Sequence, residues 1–172
     1  VLFRSTFTSG WLGFQSLYVP ESETGEILDI SAISNKNIVD LREGAFSSIN
    51  VLPPETKTDL PTTMLRSAQT YFGYNNVALA YGSEINYVKG GTGSDTYYVS
   101  DYDISIMDTS ATNQVYLNGS ASDWTSSTLN GVTTYINGQT SQRVELVGTG
   151  FSVGYYDASA DDLTHSSLDL LA

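Results

Sequence analysis

Cysteine is absent from the 172-residue sequence, and histidine occurs once, as His165. Without cysteine the chain has neither a disulfide framework nor a thiol nucleophile. With one histidine it cannot build a zinc site from two of its own histidines, and the H-E-x-x-H motif of zinc proteases does not occur. These absences exclude thiol chemistry and the usual zinc hydrolase chemistry for this chain alone.

Basic residues are also few. Seven Lys and Arg stand against 19 Asp and Glu, which gives a net charge of −12. A nucleic-acid partner needs clustered cations to neutralise phosphates, so seven scattered basic residues exclude DNA and RNA. No apolar run approaches the roughly 18 residues of a membrane-spanning helix, and membrane insertion is not expected. A hydrophobic share of 40% indicates a folded chain, and 172 residues are enough for one domain. The net charge makes that domain acidic.

The residues that are present favour β-structure. Tyrosine occurs 12 times and glycine 15 times, and short alternating runs are separated by Gly, Asn, Asp and Ser. The pattern predicts strands over residues 76–81, 96–100, 103–108, 114–117, 132–136, 143–147 and 151–156. It also predicts one short helix in a loop insertion at 61–72, where Pro61 suits the first turn and Gly73 the stop.

The most specific motif is Gly90-Gly91-Thr92-Gly93-Ser94-Asp95-Thr96-Tyr97-Tyr98, which matches the nine-residue calcium pattern G-G-x-G-x-D-x-U-x at every specified position. Glycines allow a tight turn whose carbonyls point inward, and Asp95 adds a carboxylate. Calcium prefers about six to eight such oxygens. We therefore predict Gly91, Gly93 and Asp95 as calcium ligands, with Tyr97 pointing into the core. The alternative is a glycine-rich turn that binds no ion.

One turn cannot complete such a site, because the ion in a parallel roll lies between successive turns. Two partner turns are candidates. The turn 108–113 starts 18 residues after Gly90 and carries Asn113 where Asp95 would recur. The turn 118–123 keeps Gly119 and Asp123 in the positions of Gly91 and Asp95. Either turn could instead be a plain connection between strands.

The residues before this motif resemble a known family. Leu28-Asp29-Ile30-Ser31 and the segment 39–49 (VDLREGAFSSI) resemble the L-D-F-S … I-N-L-N-E-G-x-F-S-x-V stretch of serralysin-type C-terminal domains. The segment 76–82, followed by Ile85 and Gly90-Gly91, resembles that family's N-V-x-I-A-x-G-x-x-I-E-N-x-x-G-G-S-G-x-D stretch. The resemblance covers about residues 26–98.

The resemblance implies a right-handed parallel β-roll of the repeats-in-toxin type, similar to a β-helix or sandwich. It implies that the bound ion is calcium. It also implies an extracellular bacterial protein that is exported by the type I secretion machinery. In that family the domain often follows a zinc protease domain. The family's early calcium turn corresponds here to 23–26 and the facing pair to 84–86. Glu26, Glu84 and Asn86 are therefore further candidate ligands, although solvated surface acids are an equal alternative.

Two other chemistries remain open. Asp29, Asp40 and Glu43 could pair as carboxylates for glycoside hydrolysis, but their match to a noncatalytic family segment favours a structural role. A carbohydrate-binding or carbohydrate-active parallel β-helix is the second hypothesis, because aromatic side chains cluster in sequence near Asp123: Tyr97, Tyr98, Tyr116 and Trp124. That hypothesis requires Trp124 and a tyrosine to be coplanar and exposed.

These expectations divide the chain into four parts. Residues 1–5 resemble the translation of a sequencing adapter, as in a metagenomic read, and are expected to be non-native. Residues 6–25 would be the remnant of an upstream segment, 26–98 the serralysin-like roll and 99–172 a degenerate roll tail. The end of the tail, 166–172 (SSLDLLA), resembles a C-terminal type I export signal. The overall expectation is a noncatalytic calcium-binding folding and secretion module, attached in its parent protein to an upstream catalytic domain.

Overall fold

A computed structural model describes residues 4–8, 13–19, 26–52, 73–110 and 112–157. The predicted helix at 61–72 and the segment 166–172 lie outside these residues. Within the described part the protein is all-β, as predicted, and the only helical element is one 3-10 turn at Ala121–Asp123. No helix in this part of the chain is long and apolar enough to cross a membrane.

The strands form two seven-stranded sheets. The first sheet has the order β1 (Arg4–Thr6), β3 (Ile27–Asp29), β7 (Tyr87–Lys89), β9 (Ile104–Asp108), β13 (Arg143–Gly148), β12 (Val132–Asn137) and β11 (Trp124–Leu129). The second has the order β14 (Phe151–Tyr156), β10 (Asn113–Asn118), β8 (Thr96–Tyr98), β4 (Lys36–Asp40), β5 (Phe46–Val51), β6 (Val77–Leu79) and β2 (Gln15–Leu17).

The chain passes from the first sheet to the second between successive strands, from β7 to β8, from β9 to β10 and from β13 to β14. Each of these strands pairs in parallel with the equivalent strand of the next pass. Val88 pairs with Ile106 and Tyr97 with Val115, so partners on both sheets lie 18 residues apart in sequence. Eight strand pairings are parallel and four are antiparallel, which makes both sheets mixed.

The seven strands predicted from alternating residues are all present. The other seven strands, β1 to β5, β7 and β11, are not among the predicted runs. In β11 the sequence WTSSTL has no alternation of apolar and polar residues. The hairpin β11–β12 extends the first sheet beyond β13, whereas β14 is the last strand of the second sheet at that end. The first sheet therefore overhangs the second by two strands.

The core lies between the two sheets, because alternate residues of each strand point inward. The buried side chains come from both sheets and include Leu28, Val88, Ile106 and Leu146 from the first and Val39, Tyr97, Val115 and Leu117 from the second. Tyr97 is fully buried, as its position in the motif predicts.

Candidate functional site

A ladder of buried polar side chains crosses the second sheet at one register position. Its members are Asn50, Asn37, Asp95 and Asn113, and each is at most 2% exposed. Three of the four side-chain oxygens accept the backbone N–H of the next member: Asn113 Oδ1 accepts Asp95 N at 3.0 Å, Asp95 Oδ1 accepts Asn37 N at 2.9 Å, and Asn37 Oδ1 accepts Asn50 N at 2.8 Å. We call this set the polar ladder.

The ladder satisfies backbone groups that the sheet would otherwise leave buried without partners. Asn76 repeats the device one strand further, where its amide accepts Ile49 N at 2.7 Å and donates to Ile49 O at 2.6 Å. Because each side chain binds the strand beside it, the ladder also fixes the register of these strands.

Asp95 is the one carboxylate of the polar ladder, and protein donors surround it. Its Oδ1 accepts the backbone N–H and the side-chain Nδ2 of Asn37, both at 2.9 Å. Its Oδ2 accepts the Gly91 N–H at 3.2 Å and lies 3.3 Å from the hydroxyl oxygen of Tyr97. The glycine turn of the motif therefore wraps around Asp95 with an N–H rather than a carbonyl directed at the carboxylate.

A second buried carboxylate, Asp108, faces the same tyrosine. The Tyr97 hydroxyl lies 2.6 Å from Asp108 Oδ2, and Asp108 Oδ1 accepts the Ser110 N–H at 2.8 Å. A hydroxyl has one proton, so Tyr97 donates to Asp108 and leaves Asp95 Oδ2 without that proton. Burial raises the pKa of Tyr97 far above its usual value, and it stays neutral. Gly90 makes room for this pair, because a Cβ there would lie 2.3 Å from Asp108 Oδ2.

Burial raises the pKa of Asp95 to about 6, although the hydrogen bonds from Asn37 act in the opposite direction, and the negative charge of Asp108 adds to the rise. Between about pH 4 and pH 6 the folded protein therefore holds a proton that the unfolded chain has released. The contribution of Asp95 to folding becomes less favourable as the pH rises through this window, by up to about 3 kcal/mol.

Asp95→Asn is expected to remove this dependence. The amide keeps an acceptor for Asn37 N–H and turns a donor toward the Tyr97 hydroxyl, which still donates to Asp108. It loses the hydrogen bond from Gly91 N–H, and that loss is the same at every pH. Urea unfolding at pH 4 and pH 7.5 in the presence of a chelator measures the effect: the free energy of unfolding should fall with rising pH more steeply in the native chain than in Asp95→Asn. Equal slopes would show that Asp95 has an ordinary pKa in the folded state.

The fit of calcium to this site is limited to one side of Asp95. Asp95 Oδ1 accepts two N–H groups of Asn37, whose partial positive charges would repel a cation. Asp95 Oδ2 has only long contacts, 3.2 Å to Gly91 N and 3.3 Å to the Tyr97 hydroxyl. Asp108 Oδ2 lies on the other side of that hydroxyl. Asp95 and Asp108 would therefore hold an ion through their Oδ2 atoms. The described residues contain no group of three or more His, Cys, Asp and Glu that could hold a metal, so backbone or water oxygens would have to complete the coordination.

The structure brings some of the predicted ligands together and separates others. Asn113 lies beside Asp95, but its Oδ1 already accepts Asp95 N and the Ser110 hydroxyl. Gly93 packs on the chain before β4, where a Cβ would lie 2.4 Å from Asn35 O. Asp123 lies on the turn before β11, at the far edge of the other sheet, and accepts the N–H and hydroxyl of Ser120, both at 2.7 Å.

Glu26, Glu84 and Asn86 lie near β3 and β7. Asn86 Nδ2 donates to Glu84 Oε1 at 2.6 Å, which ties these two predicted ligands to each other. Glu26 is 2% exposed; its Oε1 accepts the Ser5 hydroxyl at 3.1 Å, and its Oε2 has no hydrogen-bond partner in the described part of the chain. Burial raises the pKa of Glu26. Among these three predicted ligands, Glu26 is the one whose unpartnered oxygen best suits a cation.

The carboxylates considered for glycoside chemistry have local partners. Asp29 Oδ1 accepts the N–H and the hydroxyl of Ser31, and Asp40 forms a buried ion pair with Arg42 at 2.6 Å. Glu43 accepts Gly82 N and the Tyr102 hydroxyl at 2.8 and 2.7 Å, and these hydrogen bonds lower the pKa of its carboxyl, the one from Gly82 most. A lowered pKa is the opposite of what a general acid needs.

The aromatic side chains do not form the exposed pair that the carbohydrate hypothesis requires. Trp124 is buried, and its indole donates to Asn118 O at 2.9 Å. Tyr98 and Tyr116 do stack, with ring centroids 4.8 Å apart, but Tyr98 is buried and the Arg42 guanidinium lies 5.7 Å from its ring centroid. A cleft of about 270 Å³ opens beside this cluster, lined by Arg42, Glu43, Ser100, Asp101, Tyr102 and Tyr156.

Several residues of the candidate site escaped prediction from the sequence. Asn37, Asn50 and Asn76 look like ordinary turn or surface residues, because nothing in their local sequence marks an amide as buried. Asp108 could have been found, since it lies 18 residues after Gly90 and β7 pairs with β9 at that offset.

Comparison with known proteins adds no family assignment. No protein-family model matches this chain, and no curated protein matches it. The resemblance to serralysin-type C-terminal domains therefore remains a prediction from the quoted segments.

Proposed function

We propose that this chain is a noncatalytic, calcium-dependent folding and export module of an extracellular bacterial protein. Its fold would be a right-handed parallel β-roll of the repeats-in-toxin type. The alternation of strands between two sheets and the 18-residue register of the β7–β9 and β8–β10 pairs support this proposal. In the parent protein the module would follow a catalytic domain, such as a zinc protease, and would pass through the type I secretion machinery.

The observation that carries the calcium proposal is the arrangement around Tyr97. Two buried carboxylates, Asp95 and Asp108, face one hydroxyl beside the glycine turn, and its single proton goes to Asp108. A buried carboxylate without a compensating proton or cation is costly. A calcium ion would supply that compensation, and it would do so in a chain whose net charge of −12 opposes compaction.

Calcium would then act as a folding switch. Extracellular modules bind calcium with dissociation constants on the order of 10⁻⁴ to 10⁻³ M, so such a site is empty in the cytosol and filled outside the cell. An ion that binds only the folded state stabilises it by mass action. The chain would remain competent for export inside the cell and would fold as it emerges.

A calcium titration tests the proposal. For a dissociation constant near 10⁻³ M, 10 mM calcium should stabilise the native chain by about 1.4 kcal/mol, which raises the melting temperature by roughly 3–6 °C. Asp95→Asn should keep the fold and lose the response, because it removes a ligand carboxylate without disturbing the ladder. Asp123→Asn is the matched control and should respond like the native chain. Circular dichroism follows unfolding, with magnesium as the control ion.

Two outcomes would overturn the proposed site. In the first, the native chain melts at the same temperature in calcium and in chelator. In the second, the melting temperature of Asp95→Asn responds to calcium as strongly as that of the native chain. In either case the motif is a structural turn around a buried hydrogen-bonded aspartate. A carbohydrate-binding role then becomes the first candidate, because the cleft beside Arg42 combines the rings of Tyr102 and Tyr156 with the carboxylates of Glu43 and Asp101.

A further inference from the structure

Strand β11 is an open edge of the first sheet. It pairs antiparallel with β12 over six residue pairs on one side, and no other strand of the described chain lies on its other side. All five residues after Trp124 are exposed, up to Leu129 at 74%. An edge of this kind presents a row of backbone N–H and C=O groups to any chain that approaches it.

Nothing in β11 protects this edge. Natural edge strands are usually guarded by charged residues, proline or a β-bulge. Residues 124–142 contain no Asp, Glu, Lys, Arg or Pro, and β11 pairs with β12 in one unbroken register. This is the longest stretch without a charged residue in a chain whose net charge is −12.

The outer face of the overhanging strands is also partly apolar. Leu129, Val132, Val147 and Met107 occupy one register row across β11, β12, β13 and β9, and the two end members are 74% and 47% exposed. The row ends at the open edge with its most exposed member. A second sheet continuing from β11 would cover part of Leu129 as well as satisfy the backbone groups.

The charge distribution favours a second copy of this chain as the occupant. Two molecules of net charge −12 repel each other over most of their surfaces, and they can approach where charge is locally absent. Strand β14 is the other six-residue edge, but it ends beside acids: Asp157 follows it, and Tyr156 shares the cleft with Glu43 and Asp101. Of the two six-residue edges, β11 is therefore the one on which two copies meet with less repulsion.

We propose that two copies of this chain associate through antiparallel pairing of their β11 strands about a two-fold axis. Residues that face each other in such a pair must lie on the same side of the continuous sheet. Centring the axis on Ser127 pairs the exposed residues 125–129, with Ser127 facing its own equivalent and Thr125 facing Leu129. The contact is small, so the dimer is weak, and it strengthens with salt because salt screens the repulsion between acidic chains.

Sedimentation equilibrium of the full chain at 50 mM and 500 mM NaCl tests this pairing. A monomer–dimer equilibrium that shifts toward dimer at high salt is expected. Ser127→Glu should lower the association constant at least about tenfold, because it places two like charges opposite each other at the axis. Ser152→Glu, in the middle of β14, is the matched control and should leave the constant unchanged. A strictly monomeric chain, or equal losses in the two variants, would overturn the proposal.

Cross-linking gives a second readout, since the chain contains no cysteine. Under mild oxidation Ser127→Cys should form a disulfide-linked dimer much faster than Ser152→Cys, because the axis brings its two thiols together. Both positions are exposed in the folded chain, so accessibility does not separate them. Equal cross-linking rates would show random collision and would contradict the β11 interface. Neither measurement depends on calcium, so this inference can fail independently of the proposed function.

Discussion

Gly91→Ala is expected to lower the free energy of unfolding by about 3 kcal/mol or more. A Cβ at this position would lie 2.3 Å from Ile33 O and 3.2 Å from Ile30 O, both backbone atoms of the chain between β3 and β4. Backbone atoms cannot rotate away as the end of a flexible side chain can, so the turn itself must shift. The shift would also displace the Gly91 N–H that donates to Asp95.

Gly138→Ala is the control for this substitution. The nearest atom to a Cβ at Gly138 is Asp123 O at 3.7 Å, an ordinary contact. The stability of this variant should lie within about 0.5 kcal/mol of the native value. Urea unfolding followed by circular dichroism at pH 7 compares the two. Similar losses in both variants would mean that the approach of Gly91 to Ile33 is not a rigid feature of the turn.

Asn37→Ala should destabilise the protein by about 3–5 kcal/mol. The side chain of Asn37 is fully buried; it donates to Asp95 Oδ1 and accepts Asn50 N–H. Truncation leaves one buried N–H without its acceptor and deprives the Asp95 carboxylate of a donor. The same loss should raise the pKa of Asp95 further, so the defect should be larger at pH 7.5 than at pH 4.

Two comparisons make this expectation specific to the polar ladder. Asn118→Ala removes a hydrogen bond to Asp101 on the surface and should lose about 1 kcal/mol or less. Asn37→Asp keeps an acceptor for Asn50 N–H but places a second carboxylate against Asp95, so its defect should be severe at pH 7.5 and much smaller at pH 4. If all three variants lost the same amount of stability at both pH values, the ladder would have no special role.

The polar ladder gives a physical reason for an asparagine-rich sequence in a sheet protein. Parallel strands joined by long connections have no tight hairpin to set their register. A side-chain amide on one strand hydrogen-bonds to the backbone of the next strand and so sets the register. A slip of one residue would turn every ladder side chain to the other face of the sheet. Asp95 at the centre is the member whose charge makes the ladder sensitive to protons and, under the proposed function, to calcium.

Several of the predicted strands alternate between core and solvent, whereas β11, which was not predicted, does not. The runs 103–108 and 143–147 bury every second residue, so their periodicity is visible in the sequence. Strand β11 is exposed along five of its six residues, and exposure imposes no pattern. The antiparallel hairpin that it forms with β12 was likewise not evident, although Asn130 and Gly131 adopt the positive φ values of a tight turn.

The sequence by itself determined the all-β class, the burial of Tyr97 and the tight glycine turn, because each follows from local residue patterns. Tertiary structure decided which polar groups meet. Asn37 and Asp95 are 58 residues apart, and only the parallel pairing of β4 with β8 brings the amide to the carboxylate. The same pairing placed donors around Asp95 Oδ1, whereas Asp108 reaches the Tyr97 hydroxyl from β9 of the first sheet. A motif specifies which atoms a turn offers, whereas the neighbouring strands decide whether those atoms face an N–H, a proton or an ion.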